Sequence, residues 1–407
     1  MEGAVRVLVL TYNRTLRGYI DELARHDIAG ADVELTVSTF SKWAWTELPD
    51  LPIVSDASRR AKLNTLGANL AMTGDFLSAE VDYVLGKFLP NQLENYVSSE
   101  RTGRGRTPRV SATTRRLLLD EVVYPYMQWK SDKGVRDWGD MATAMIDATT
   151  VGEYHVVVID EAQDFSANQV RAVLQHLSLQ HSITFVLDGA QRIYPQRFTW
   201  SEVGLAVGPT NSRQLSRNFR NTRQIAAFAA PLLTQVEVTD DSALPNFASC
   251  TDDGPKPLLV QGKFTAQMDY LVNFLKDLDP DADESVAILH AKGWFGEVQR
   301  RLQQAGLAYV EITRQSEWPS GPEVIALSTM HSVKGLGFDH VVIVGLNAQT
   351  MPHGAEAGDS ERDAHLRLLA MAAGRARKTL TFTYKVDEAS DLIDCLDPAT
   401  YDVISQG

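Results

Sequence analysis

The chain has 407 residues, of which 44% are hydrophobic and 22% charged, the composition of a globular protein with two or three domains. Its only cysteines, Cys250 and Cys395, exclude a disulfide scaffold and a cysteine-rich zinc site and favour a reducing, cytoplasmic location. The net charge of −13 argues against a surface that binds polyanions throughout but allows a local basic patch. Since no apolar run approaches the roughly 18 residues of a membrane span, we expect no membrane partner.

Four short apolar runs rich in β-branched residues predict the strands of parallel sheets. They are VRVLVL (5–10), HVVVID (155–160), SITFVLD (182–188) and HVVIVGL (340–346). Each run is followed by polar or glycine-bearing turns. This pattern is typical of strands that are buried on both faces and carry active groups at their carboxyl ends.

The periodicity of the chain changes between these runs. Residues 51–150 show helical spacing and few strand-like runs, which predicts a helical insertion. After residue 213, helical stretches alternate with the strand-like runs PLLV, VAIL, VIALS and TLTFTY. This alternation predicts a second α/β domain.

The second apolar run ends in the carboxylates of D-E-A-Q-D, residues 160–164. At a strand end, Asp160 could coordinate a magnesium ion, directly or through water, while Glu161 polarises the attacking water of a nucleotide hydrolase. An isolated Asp-Glu pair is most often a solvated acidic turn. The buried strand before this pair and the D-E-A-Q-D spelling favour the catalytic interpretation.

Later motifs carry side chains suited to a nucleotide or a nucleic acid. VLDGAQRIY (186–194) offers a glutamine and a tyrosine, and LSRNFRNT (215–222) and AAGRARKTL (372–380) offer arginines. Arginines stabilise charge on a transferred phosphoryl group, and a tyrosine can stack on bases. STMHSVKGLGFDHVVI (328–343) places Thr329, His331 and Lys334 before a predicted strand, where they could contact a nucleic-acid backbone. Taken alone, each motif also fits an ordinary turn, a surface arginine or a structural histidine.

Residues 101–116, RTGRGRTPRVSATTRR, contain six arginines and no acidic residue. This composition favours a phosphate-binding track in the helical insertion, with glycines that allow close approach of the backbone. The alternative is a solvated basic loop that contacts no ligand.

The phosphate-binding loop expected beside the carboxylates does not occur in the sequence. Such a loop, G-x-x-x-x-G-K-[ST], holds phosphates with backbone N–H groups, a helix N-terminus and its lysine. The only Gly-Lys pairs, Gly86-Lys87 and Gly262-Lys263, are each followed by phenylalanine and lack the first glycine of the motif.

The order of the motifs resembles that of the UvrD/Rep-like superfamily 1 DNA helicases. The series is LVLTYNRTLRGYI, STFSKW, VVVIDEAQDFS, VLDGAQRIY, LSRNFRNT, STMHSVKGLGFDHV and LLAMAAGRARKTL, and it spans nearly the whole chain. The resemblance implies an α/β protein with two RecA-like P-loop NTPase domains and parallel sheets. Residues 1–50 and 151–212 would form the first domain, residues 51–150 its helical insertion, and residues 213–407 the second domain.

The resemblance also implies a role for each matching residue. For ATP and Mg²⁺, Asp160 matches the magnesium ligand, Glu161 the catalytic base and Gln191 the γ-phosphate sensor. Arg220 and Arg375 match the two arginine fingers, and Phe219 falls where an aromatic ring stacks on adenine. The residues in motifs that contact DNA are Tyr12, Asn13, Thr39, Phe40, Tyr194, Arg197, Thr329 and His331, to which the basic segment adds Arg104, Arg106 and Arg109.

Three departures from the family shape the functional expectation. The phosphate loop and its strand should precede LVLTYNRT, Gly337 replaces a glutamate that helps to hold the ATP ribose, and the stretch between 222 and 328 is short for the family's second insertion. We expect an ATP-dependent DNA helicase or translocase, of 3′ to 5′ polarity by resemblance, that acts on single-stranded or partly duplex DNA. It would need a P-loop from an upstream segment or a partner chain. The alternative is a catalytically inactive, helicase-like DNA-binding or assembly subunit, and repair, recombination and defence stay open as pathways.

Overall fold

The computed structural model describes residues 4–12, 14–28, 32–99, 101, 109–149, 151–187, 198–208, 210–213, 220–235, 250, 252–279, 282, 284–312, 323–351 and 360–406. The chain forms two compact units. The first comprises Met1–Tyr12, Ala24–Leu187 and Pro195–Ser212, and the second comprises Asn13–Leu23, Asp188–Tyr194 and Arg213–Gly407.

Up to residue 213, the described strands and helices alternate at both ends of a long helical stretch. In chain order they are β1 (Val5–Thr11), α1 (Arg14–Asp27), β2 (Val33–Thr39), α2 (Phe40–Glu47), α3 (Asp56–Leu66), α4 (Gly74–Lys87), α5 (Asn95–Ser98), α6 (Ala112–Leu117), a π-helical segment (Leu118–Val123), α7 (Tyr124–Lys133), α8 (Asp140–Asp147), β3 (Tyr154–Ile159), α9 (Ala167–Gln175) and β4 (Leu177–Phe185).

The described strands of the first unit form a parallel sheet in the order β2-β1-β3-β4. Leucines at alternate positions of β1, Leu8 and Leu10, are fully buried because successive side chains of a strand point to opposite faces. They join a core that also contains Trp43 of α2 and Tyr154 of β3. The indole N–H of Trp43 donates to the Tyr154 hydroxyl at 3.1 Å, so this buried N–H has the partner that buried polar groups require.

Residues 51–149 contain α3 to α8 and a hydrophobic core of their own. Tyr83, Tyr96 and Tyr126 are fully buried in it. Side-chain caps begin several of the helices: Ser55, Thr73 and Ser111 accept hydrogen bonds from the N–H three residues later, as good N-cap residues do. The helical character of this stretch agrees with its sequence spacing, whereas its assignment as an insertion in a RecA-like domain stays a prediction.

The second unit alternates strands with helices along the chain. Its elements are α10 (Arg223–Thr234), β5 (Leu258–Gln261), α11 (Phe264–Asp277), β6 (Val286–His290), α12 (Gly296–Gln304), β7 (Val310–Glu311), β8 (Ile325–Thr329), β9 (Phe338–Ile343), α13 (Ser360–Ala373), β10 (Ala376–Tyr384) and β11 (Asp402–Ser405). They build a parallel sheet in the order β11-β5-β10-β9-β6-β8-β7.

The sheet of the second unit lies between two hydrophobic clusters. Leu289 and Val341 belong to one cluster, and Ile288 and Val342 belong to the other. All five residues of β6 are buried. Strands covered on both faces are nearly continuous apolar runs, which is why VAIL and HVVIVGL were visible in the sequence.

The predicted α/β class with parallel sheets is confirmed, and all four apolar runs contain a strand. The prediction that each run is buried on both faces is wrong for β4. Ile183 and Phe185 pack against the core, whereas Ser182 and Thr184, on the opposite face, are exposed. Within the described part of the chain, no helix combines the length and the apolar character needed to cross a membrane.

Candidate nucleotide and nucleic-acid sites

The carboxylates of D-E-A-Q-D lie in a tight turn at the carboxyl end of β3. The Asp160 N–H donates to the Leu10 carbonyl of β1 at 2.8 Å, and the Ala162 N–H donates to the Val186 carbonyl at 3.0 Å. The turn is therefore tied to the strands on both sides of β3. Asp160 is half-buried and Glu161 is 8% exposed.

Glu161 has a left-handed backbone conformation, with φ of 53° and ψ of 39°. It is the one non-glycine residue with positive φ in the described part of the chain, and such a conformation costs on the order of 1–3 kcal/mol. The bonds of its neighbours hold it there: the Asp164 N–H donates to the Glu161 carbonyl at 3.0 Å, and the Gln163 side-chain amide donates to the Glu161 carboxylate at 2.5 Å. A strained residue maintained at a strand end is typical of functional sites.

A buried hydroxyl lies at the end of the neighbouring strand. Thr11 ends β1, next to β3, and is 0% exposed. Within the described residues, its Oγ1 has no hydrogen-bond partner. Because buried polar groups are almost always hydrogen-bonded, this orphaned oxygen marks the strand ends as suited to a polar ligand or ion.

Three aromatic rings cluster beside the carboxylate turn. Tyr12 and Phe40 each lie edge-to-face with Phe165, with ring centroids 6.5 Å and 6.3 Å away. Tyr12 is 45% exposed and Phe40 is 3% exposed. The Thr39 hydroxyl accepts from the Lys42 N–H as the N-cap of α2. Of the residues predicted in these two motifs to contact DNA, Tyr12 thus has an open ring, while Thr39 and Phe40 have structural contacts.

The arginines at the two ends of the basic segment 101–116 bind within the protein. Arg101 Nε and Nη2 donate to the two carboxylate oxygens of fully buried Glu80 at 2.9 and 2.7 Å, and the Tyr96 hydroxyl donates to the same carboxylate at 2.6 Å. Arg115 donates to the Ser99 carbonyl at 2.6 Å. These bidentate and main-chain bonds anchor the segment at both ends.

The anchors reduce the number of arginines available for phosphate. Arg116 forms an ion pair with Glu94 at 2.6 Å, which lowers the pKa of that carboxyl group. Arg109 is exposed, and its contact with phosphate stays a prediction. The composition of the segment does not show which of its six arginines are structural and which are open to a ligand.

In the second unit, the segments of the two predicted arginine fingers are joined by one side chain. The Asn221 amide donates to the carbonyls of Gly374 and Ala376 at 3.0 and 2.6 Å, the residues on either side of Arg375. Asn221 also follows Arg220 directly. Asn221 was not predicted as a site residue, although the amide next to the arginine in N-F-R-N (218–221) was a signal in the sequence.

The two predicted fingers differ in exposure. Arg220 is exposed. Arg375 is 0% exposed, and its guanidinium group donates to the main-chain carbonyls of Met371 and Leu336, both at 3.1 Å. Charge-assisted bonds of this kind hold the Arg375 side chain within its own unit.

The loop between β8 and β9 carries the predicted nucleic-acid contacts of the second unit. Thr329 ends β8, and its hydroxyl lies 2.9 Å from that of Ser332. His331 is exposed. Desolvation by the surrounding protein, and then the charges of Lys292 and Lys334, lower its pKa. Of these two lysines, Lys292 is exposed, whereas Lys334 is 4% exposed.

Gly337, the position of the expected glutamate, lies beside an arginine. A Cβ atom built on Gly337 would be 3.3 Å from both Nε and Nη2 of Arg377. A carboxylate placed here would therefore meet a guanidinium group.

Several predicted site residues lie outside the described part of the chain. They are Asn13, Arg104, Arg106, Gln191, Tyr194, Arg197 and Phe219. Their predicted roles stay predictions.

One family model matches a stretch of the second unit. Residues 265–387 match the UvrD-like helicase C-terminal domain. The matched stretch contains Thr329, His331, Gly337 and Arg375. No curated protein matches the chain.

Among solved structures, the chain is similar to the C-terminal domain of a possible DNA helicase from Lactobacillus plantarum WCFS1. The identity is 22%, the TM-score is 0.34, and the alignment covers 46% of this chain and 98% of the other. The second unit is related to the helicases through the match of residues 265–387 to the UvrD-like helicase C-terminal domain.

Proposed function

We propose that the chain belongs to an ATP-driven DNA helicase or translocase of the UvrD/Rep type, with two RecA-like domains and a helical insertion at residues 51–150. The observation that carries this proposal is the match of residues 265–387 to the UvrD-like helicase C-terminal domain. The strained turn at Glu161 supports it, because strain of this kind clusters at active sites. The proposed substrate is single-stranded or partly duplex DNA, with translocation from 3′ to 5′.

The carboxylate turn is the proposed site of nucleotide chemistry. Asp160 would hold Mg²⁺, and Glu161 would accept a proton from the attacking water. A bound magnesium ion would neutralise charge that develops on the phosphates. The described residues contain no group of three His, Cys, Asp or Glu side chains arranged as a metal cage. Magnesium is usually held by one or two carboxylates together with substrate phosphates and water, and Asp160 would supply one such carboxylate.

The arginine segments would act on the charge of the transferring phosphoryl group. Arg220 and Arg375 are the proposed fingers, with Gln191 as the γ-phosphate sensor and Phe219 stacked on adenine. Asn221 would position the two arginine segments together through its bonds to the carbonyls beside Arg375. DNA would be bound by Tyr12, by Thr329 and His331, and by Arg109 with its neighbours Arg104 and Arg106.

We propose that the phosphate cradle comes from a further segment that pairs with β4. Among the described strands, β4 pairs with β3 alone, and its residues Ser182 and Thr184 are exposed. An open strand edge is a template for another strand. Such a strand would lead its phosphate-binding loop to the sheet that carries Asp160.

One observation favours the second candidate, an inactive DNA-binding or assembly subunit. Arg375 is fully buried, and main-chain carbonyls of its own unit accept hydrogen bonds from its guanidinium group. This arrangement also suits a purely structural arginine. The two candidates differ in whether a supplied phosphate loop produces turnover.

Phosphate release by purified protein tests the proposal. We expect no appreciable ATPase activity from residues 1–407 alone, because loss of even one preorganised donor can cost about a hundredfold in rate. Fusion or addition of a G-x-x-x-x-G-K-[ST] segment with its strand should restore DNA-stimulated turnover, and Glu161→Gln in that assembly controls for contamination. Turnover by the chain alone, absent in this control, would contradict the need for an outside loop. No turnover from any supplied segment, with DNA still bound, would favour the inactive subunit.

DNA binding is tested separately by its salt dependence. Replacing Arg104, Arg106 and Arg109 with Ala should weaken binding across sequences and flatten the slope of log K against log salt by up to about one per lost phosphate contact. Arg116→Ala is the matched control, because Arg116 already pairs with Glu94. Equal slopes for the triple variant and the control would count against the basic segment as a DNA contact.

A further inference from the structure

We propose that Trp294 is a stacking platform for one base of a single-stranded nucleic acid, with Lys292 beside it as a phosphate contact. This inference rests on the proposed function, since it names a further contact of the same DNA. It begins from an exposed tryptophan: Trp294 is 56% exposed. Large exposed aromatic side chains at the carboxyl ends of parallel strands are candidates for ligand binding.

The tryptophan lies in a turn whose backbone is fixed. The turn follows β6, and the N–H groups of Lys292 and Trp294 both donate to Nδ1 of His290, at 3.1 and 3.2 Å. Between them, Gly293 has φ of 74°, a conformation that glycine adopts readily. A ring held on a rigid turn loses little conformational freedom when a base binds, which favours affinity.

His290 is suited to this support role. Burial lowers its pKa to about 4, so its ring is neutral near pH 7 and Nδ1 can accept both hydrogen bonds. The His290 and Trp294 ring centroids are 5.7 Å apart. The imidazole of His290 therefore lies beside the indole, and the exposed part of the Trp294 ring remains accessible to a ligand.

A second exposed aromatic ring lies close to the same glycine as the His290 ring. Phe264, 37% exposed, begins α11. A Cβ built on Gly345, which has φ of 65°, would be 3.5 Å from Nε2 of His290 and 3.8 Å from Phe264. The backbone at Gly345 thus lies close to both the buried imidazole and the second ring. Aromatic rings spaced along a surface suit successive bases, which all have a π-face.

Positive charge accompanies the rings. Lys292 is exposed. Desolvation by burial, and then the charges of Lys292 and Lys334, lower the pKa of His331. A Cβ built on Gly293 would lie 3.1 Å from the Thr329 methyl group, so the turn lies close to the loop predicted to contact DNA. Exposed aromatic rings beside an exposed lysine match the bases and phosphates of a single strand better than they match an apolar protein surface.

The test compares two labelled oligonucleotides with the same number of phosphates, one of thymidylates and one without bases. We expect Trp294→Ala to weaken thymidylate binding about tenfold, as loss of one stack worth ~1–3 kcal/mol predicts, and to leave abasic binding unchanged. Trp294→Phe should recover most of the loss. Lys292→Ala should weaken both oligonucleotides alike and reduce the salt slope by about one.

Trp138→Ala serves as the matched control, since Trp138 is also a tryptophan with 42% exposure and belongs to the other unit. Equal affinities of Trp294→Ala and the unaltered chain for thymidylates would overturn the inference. So would equal losses on both oligonucleotides, which would indicate a structural role. If the unaltered chain binds neither oligonucleotide, the proposed DNA-binding function fails and the inference fails with it.

Discussion

The two sheets differ in how completely their strands are enclosed. In the second unit, every residue of β6 is buried, and the edge strands β7 and β11 have only two and four residues. In the described part of the first unit, β4 pairs with β3 alone and has nine residues, of which one is buried. Short edge strands limit unwanted pairing, whereas a long exposed edge invites another strand.

The sheet of the second unit is thus enclosed, whereas the described sheet of the first unit has an edge at which a further strand could pair. The enclosed sheet contains the match to the UvrD-like helicase C-terminal domain. The open sheet carries the strained carboxylate turn at its β3 end. Under the proposed function, the carboxylate turn after β3 and the strand that would pair with β4 belong to the same sheet.

The largest expected effect is on the carboxylate turn of the open sheet. In an assembly that hydrolyses ATP, Glu161→Gln should reduce turnover by at least about a hundredfold, the usual contribution of a positioned general base. Nucleotide binding should persist, because the amide keeps the shape and can still accept a hydrogen bond from Gln163. Single-turnover hydrolysis and nucleotide binding measure the two effects. A matched change at an exposed glutamate of the same unit, Glu153→Gln, should alter neither, and turnover that survives in Glu161→Gln would remove this residue from the role of base.

The enclosure of the two sheets can be compared with one chemical change. Leu289→Ala in β6, where the side chain is 0% exposed, should lower the free energy of unfolding by about 2–5 kcal/mol. Leu179→Ala in β4, where the side chain is 100% exposed, should change it by less than ~0.5 kcal/mol. Urea unfolding of both variants measures the difference. A large loss at Leu179 would mean that β4 is enclosed after all.

The same contrast explains how much of the fold could be predicted. VAIL corresponds to β6, because strands covered on both faces are nearly continuous apolar runs. TLTFTY corresponds to β10, because threonine and aromatic residues are enriched in strands. The beginning of β4 was missed. Its residues LSLQH are mostly polar, and the pairing shifts register between Tyr154–Leu177 and Val156–Ser182.

Site chemistry was visible in the sequence, but the partners of each side chain were not. D-E-A-Q-D identified the strand end, yet no local pattern predicts that Glu161 would be left-handed. Asn221 meets the carbonyls beside Arg375 across about 150 residues of sequence. Arg101, which lies outside the helices, binds Glu80 of α4. Such contacts depend on the folded arrangement of distant segments, which composition and spacing do not encode directly.

The pH dependence of stability tests the burial of His290, the last residue of β6 in the enclosed sheet. Burial lowers the pKa of His290 to about 4, below the usual value of about 6.5. Between these two pH values, His290 is therefore protonated in the unfolded chain and neutral in the folded chain. Stability from this group is complete above pH ~6.5, falls as the pH drops toward ~4, and falls no further below that value.

The loss assigned to His290 should approach ~3 kcal/mol at most. His290→Asn keeps an oxygen acceptor for the two N–H groups of the turn but does not titrate. The variant should therefore lose less stability than the unaltered chain between pH 6.5 and 4 in urea unfolding. Parallel pH curves for the two proteins would show that His290 is protonated as readily in the folded chain as in the unfolded one.

A smaller effect is expected from the link between the arginine segments. Asn221→Ala removes two hydrogen bonds to buried segments and should cost about 1–3 kcal/mol of stability. In an assembly that hydrolyses ATP, it should also reduce kcat by more than it raises KM, because the arginines act on developing charge. Asn273→Ala, an exposed asparagine of the same unit, is the control. A loss of stability without any change in kcat would assign Asn221 a structural role alone.

The smallest expected effect is at Gly337, within the enclosed unit. The backbone there does not have positive φ, so a larger residue is allowed. Its Cβ would approach Arg377 at 3.3 Å, against the end of a flexible side chain. Gly337→Glu should form an exposed ion pair with Arg377 worth ~0.2–1 kcal/mol. Asp339 would compete with it for Arg377: hydrogen bonds from Ser285, and then the charges of Lys378 and Arg377, already lower the pKa of the Asp339 carboxyl group. The new carboxylate should raise nucleotide affinity a few-fold in a complete assembly, and more so when Arg377→Ala releases it. Titration with a fluorescent ATP analogue measures both variants, with Gly337→Gln as the uncharged control. If affinity does not rise even with Arg377 removed, a carboxylate at this position does not reach the nucleotide, and the resemblance of this loop to the helicase family ends before its ribose contact.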